Sequence, residues 1–142
     1  MSFKLVGGWP EEDVENGVVT AGTAITKGKL LVVNGNVLAE ADANATIHTI
    51  WGVADETIGT SAASIKYIPI IAGQTWEADT TNNSATTQRY ENCIIGANGG
   101  LVNNTDTTVT GPTGVFTIKE VRGAAADKKV LGQFNRLNVT ST

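Results

Sequence analysis

The chain has 142 residues, a formal net charge of −4, sixteen glycines, and one each of histidine, cysteine and methionine. That length suits a single domain, which buries about two-thirds of its unfolded surface. The acidic balance argues against direct nucleic-acid binding, no apolar run reaches the roughly 18 residues of a membrane span, and the solitary Cys93 excludes an intrachain disulfide.

Glycine, threonine and asparagine dominate a composition poor in helix-favouring patterns, so the expected class is all-β. Residues 1–17 read as an extended N-terminal arm, with residues 18–142 forming one β domain. Phe3, Leu5, Val6 and Trp9 are apolar, but Gly7-Gly8 and Trp9-Pro10 interrupt regular structure, and Glu11 to Glu15 is acidic. There is no apolar run of the kind a signal peptide carries. An arm with aromatic residues is expected to lie either on its own barrel or on the open sheet edge of a neighbouring chain.

Residues Thr20 to Ile58 hold the densest β signal. Leu30 to Val33 and Val37 to Ala39 flank Asn34-Gly35, which predicts a tight type I′ hairpin. Thr46 to Val53 alternates polar with apolar, as a half-buried strand requires, and places His48 on that strand. Ser64 to Ile71 alternates again, and Pro69 predicts that this strand lies at an edge or ends there. Gly73 to Ala78 is a further short strand. Residues Asp79 to Arg89 are polar and without period, which predicts a surface loop. Tyr90 to Ile95, a turn at Ala97 to Gly100, a return at Leu101-Val102 and a second Thr/Asn loop from Asn103 to Gly114 follow. Val115 to Val121 and Lys129 to Asn135 close the chain, with a single helical turn between them. About nine short strands at this spacing predict a small β-barrel or a β-tulip or jelly-roll-like sandwich.

Chemistry-bearing constellations are sparse. His48 has no second histidine to join in a zinc site and only the distant Cys93 to pair with. Glu77 and Asp79 share a strand face, but the oxygen-rich spacing of a calcium loop is absent. No P-loop frame surrounds Gly28-Lys29. The expectation is no catalytic residue, no cofactor and no metal. Trp51 reads as core; Trp9 and Trp76 stand beside polar or flexible stretches that leave half exposure open, with core or interface packing the safer reading for the rings. Charge is uneven: Glu11, Glu12, Asp13 and Glu15 lie early, and Lys119, Arg122, Lys128, Lys129 and Arg136 late.

The run Thr23 to Val33, then Asn34 to Ala41, then Ile50-Trp51-Gly52-Val53-Ala54, resembles the head decoration (cement) proteins of tailed bacteriophages, over residues 18 to 75. The resemblance implies a non-enzymatic virion protein on the outer capsid surface, a homotrimer at local three-fold axes that ties together subunits of the major capsid protein. It also implies an arm reaching onto the capsid, here Phe3, Leu5, Val6, Trp9 and Pro10. No membrane and no direct nucleic-acid contact are implied. A rival reading is a host-glycan-binding domain of a head fibre or tail protein, using Trp76 and the Asn/Thr loops. An enzyme would need Glu77, Asp79 and His48 to meet between subunits.

Overall fold

Short apolar-polar alternations separated by glycine-rich turns yield eleven strands among residues 3–7 and 14–136, the residues described by the computed structural model. They are β1 (Phe3–Gly7), β2 (Glu15–Val18), β3 (Leu30–Asn34), β4 (Val37–Glu40), β5 (Ile50–Ala54) and β6 (Ser64–Pro69). The remainder are β7 (Thr75–Asp79), β8 (Asn92–Ile95), β9 (Val102–Asn103), β10 (Phe116–Val121) and β11 (Lys129–Phe134). Among the described residues helical structure is confined to single 3₁₀ turns at Thr86–Gln88, Ala97–Gly99 and Ala125–Asp127.

The strands form two antiparallel sheets, one of six in the order β1-β7-β11-β10-β8-β9 and one of five in the order β2-β6-β5-β3-β4. Their facing sides share one core, so the architecture is a sandwich and not a closed barrel. The six-stranded sheet contributes Leu5, Trp76, Cys93, Ile118 and Val130, and the five-stranded sheet contributes Leu30, Ile50 and Val53. At its centre the Phe134 ring lies 4.9 Å from Phe3, 5.2 Å from Phe116 and 5.5 Å from Trp76, the last two edge-on. Edge-on contacts set the positive ring edge against the negative face of the neighbour.

The five-stranded sheet is buried on its other face too. Val19, Ile25, Leu31, Leu38, Ala54, Ile58, Ile65 and Tyr67 form a second core there. Successive residues therefore serve opposite cores: Leu30 one and Leu31 the other, Val53 one and Ala54 the other. Burial on both faces explains why β3 reads as an unbroken aliphatic run. The sheet curls until β2 and β4, its two outer strands, touch through a parallel bridge between Val19 and Leu38.

Several local expectations change. The β3–β4 loop is Gly35-Asn36, with positive φ at Gly35 (67°) and not at Asn36, the pattern of a II′ turn and not the I′ turn centred on Asn34-Gly35. Residues 46–49 form a turn, with the Thr49 amide donating to the Thr46 carbonyl, so β5 starts only at Ile50. Tyr90 is not in a strand. It takes φ 65° in the approach to β8, an uncommon conformation for a bulky residue.

The N-terminal arm is also redrawn where it is described. Phe3–Gly7 pairs with β7, and Glu15–Val18 pairs with β6. β1 is a sheet strand because Phe3 and Leu5 have a core to fill: they are 3% and 6% exposed. Trp9 and Pro10 lie outside the described residues.

Candidate interaction surface

The residues singled out for chemistry are dispersed. Glu77 and Asp79 do share the outer face of β7, as their spacing requires, but they face one cation from β11 and one from just beyond β10. Lys129 Nζ lies 2.6 Å from Asp79 Oδ1 and 3.9 Å from Glu77 Oε1, and Arg122 Nε is 3.3 Å from Glu77 Oε2. The hydrogen bond to Asp79 raises the Lys129 pKa, so the ammonium stays charged. His48 is an exposed turn residue, not a strand residue, and among the described residues no three of His, Cys, Asp and Glu converge. Cys93 is fully enclosed, and burial, followed by the nearby charges of Glu91 and Asp106, pushes its thiol up to about 12. It behaves as the small hydrophobe its surroundings suggest.

Of the two tryptophans described, Trp76 is the core residue and Trp51, expected in the core, is not. Trp76 is 1% exposed, and its indole N–H donates to Gln74 Oε1 at 3.2 Å inside the core, so its ring offers no stacking platform to a glycan. Trp51 is 37% exposed. The β3–β5 register jumps from Leu31 opposite Gly52 to Val32 opposite Ile50. Trp51 is the extra residue of this bulge, which turns its ring out of the strand's alternation.

A connected set of groups holds that ring. Its N–H donates to the Tyr67 hydroxyl at 2.8 Å, the hydroxyl donates to Glu15 Oε1 at 2.8 Å, and the Arg136 guanidinium lies 4.4 Å from the ring centroid. Arg136 also donates to the Ile70 carbonyl at 3.0 Å, joining the exit of β11 to the five-stranded sheet. Burial raises the Tyr67 pKa and lowers that of Arg136. Tyr67 fits beside the diagonal Gly52 of the adjacent strand, where a Cβ would strike its ring. Sequence reasoning passed over this set, since Glu15, Trp51, Tyr67 and Arg136 sit on four separate segments. The only advance signal was a tyrosine in an alternating strand.

Beside Trp51, the half-buried Val33 and Val37, the buried Leu38 and the 61% exposed Val18 line a shallow apolar depression of ≈ 260 Å³. Val6 (38%), Ile71 (39%) and Tyr90 (72%) are further large apolar or aromatic side chains at the surface. Of the five arm positions expected to touch a partner, Phe3 and Leu5 are thus committed to the core, Val6 is partly open, and Trp9 and Pro10 fall outside the described residues. The chain matches no protein-family model and no curated protein.

Proposed function

We propose that this chain is a non-enzymatic structural protein of a virion, a decoration protein that trimerises on the outside of a tailed-bacteriophage capsid and braces the major capsid protein. The observation that carries the reading is a coincidence of range. The second core draws every one of its buried residues from positions 19 to 67, inside the 18–75 stretch that resembles head decoration proteins. That stretch is therefore a packed unit with its own interior, and a shared sequence pattern over it has a physical object to describe.

A clamp of this kind needs a rigid body and a sticky surface. Two cores supply the first. Val18, Val37 and Trp51 supply the second, since aromatic residues anchored by hydrogen bonds make strong contact points at small entropic cost. Because Phe3 and Leu5 are interior, capsid contact falls to the rim of the depression beside Trp51 and not to them. Three copies acting together would multiply weak individual contacts.

The test is sedimentation of the purified chain alone and with expanded phage heads stripped of decoration. The expected result is a particle of three times 14.8 kDa that pellets with the heads, and a Val18→Asp, Trp51→Ala double variant that stays in the supernatant. A monomer that never pellets would refute the proposal.

A further inference from the structure

Sheet margins are where backbone groups go unpaired, and this sandwich has four. Two of them, β2 and β4, meet through the Val19–Leu38 bridge. A third, β9, is two residues long, and its Val102 carbonyl accepts from the Thr81 amide at 3.0 Å. The fourth is β1, and among the described residues its outer side is paired only at the Phe3 amide.

Its register shows which groups are open. The Phe3 amide turns away from β7 and donates to the Gly28 carbonyl at 2.9 Å. In an antiparallel ladder alternate residues face the same way, so the Leu5 amide and carbonyl also turn from β7. Neither has a hydrogen-bond partner among the described residues. They face a cleft of ≈ 290 Å³ between β1 and the five-stranded sheet, with Leu5, Val53 and Ile68 as apolar lining. The charged lining is Lys4, Lys27 and Asp55, an excess of positive charge.

We propose that β1 is a docking edge for an extended, acidic segment of a partner protein, which adds to the six-stranded sheet as a seventh strand. The Leu5 amide and carbonyl fix the occupant's backbone as extended. The cleft behind them takes one of its apolar side chains, and Lys4 and Lys27 favour carboxylates at the flanking positions. This surface is separate from the Val18–Trp51 depression, and the proposal stands whether or not the chain decorates a capsid.

The experiment follows the Leu5 amide by NMR hydrogen exchange, with a capped Glu-Val-Glu-Val-Glu-Val peptide as probe and its Lys-Val counterpart as control. With the acidic peptide at ten times its dissociation constant, Leu5 exchange should slow about tenfold, while the basic peptide leaves it unchanged. Lys27→Glu is an exposed change that the fold tolerates, and it should weaken the acidic peptide by up to about fivefold. Equal slowing by both peptides, or none by either, would overturn the proposal. So would protection that grows with protein concentration alone, which would give the edge to a second copy of the chain.

Discussion

In the five-stranded sheet β3 joins β4 across Gly35-Asn36 and β5 joins β6 across one loop, with β2 to β6 the distant pairing, whereas the six-stranded sheet depends on two distant pairings, β1 with β7 and β7 with β11. The two also differ in what they bury. The shared core is built on Phe3, Trp76, Phe116 and Phe134, and the second core is aliphatic around one tyrosine. The first arrangement gains area per residue but needs distant segments to meet, which costs loop entropy before any contact is made. The second needs one distant pairing, β2 with β6, beside its local hairpins. The lesson is that the layer holding most of the aromatic mass is the one whose assembly depends on the chain's two ends.

The sharpest way to break that contrast is Trp76→Ala. It should cost about 3–5 kcal/mol in urea titration, with faster amide exchange concentrated in β7, β11 and β1. Leu31→Ala empties part of the second core and should cost about 2–4 kcal/mol, with the faster exchange shifted to β3, β5 and β6. If either variant loosened both sheets equally, the layers would be one cooperative unit. Tyr67→Phe removes the hydroxyl between Trp51 and Glu15. A loss of about 1 kcal/mol is expected, with Trp51 emission moving to longer wavelength; an unchanged spectrum would mean the ring is held by Arg136 alone.

The smallest effect is electrostatic and belongs to the six-stranded sheet. Lys129 has a raised pKa in the fold, caused first by its hydrogen bond to Asp79. Its contribution is therefore complete below the unfolded lysine value of about 10.4 and is lost as pH climbs through the higher folded value. The Lys129 side chain is 42% exposed, so solvent screening keeps this below about 1 kcal/mol. Asp79→Asn should flatten that part of the alkaline decline in stability, read by urea midpoints between neutral pH and pH 11. A decline of unchanged steepness would count against the pair.

Much of the fold was legible because its signals are local. The β3–β4 hairpin, the end of β6 at Pro69, the polar 79–89 loop and the single turn at Ala125–Asp127 all follow from nearby residues. β1 and β2 were not legible. Gly7-Gly8 and Pro10 hide them, and their partners β7 and β6 lie far along the chain. The different fates of Trp51 and Trp76 have the same root. A one-residue bulge turns Trp51 outward, and Trp76 is covered only when β1 and β11 arrive on either side of β7. Alternation in a window of sequence carries neither fact. The same holds for the surface set of Glu15, Trp51, Tyr67 and Arg136, whose members meet only after both sheets are in place.

The near-closure of the curled sheet has a consequence for behaviour in a crowded solution. Strand margins are the usual templates from which fibrils grow, and β2 and β4 screen each other through the Val19–Leu38 contact. Prising that seam apart would bare two ribbons at once. A lesion there, such as a charge at Leu38, should therefore show itself first as turbidity on storage and only later as a lower melting temperature.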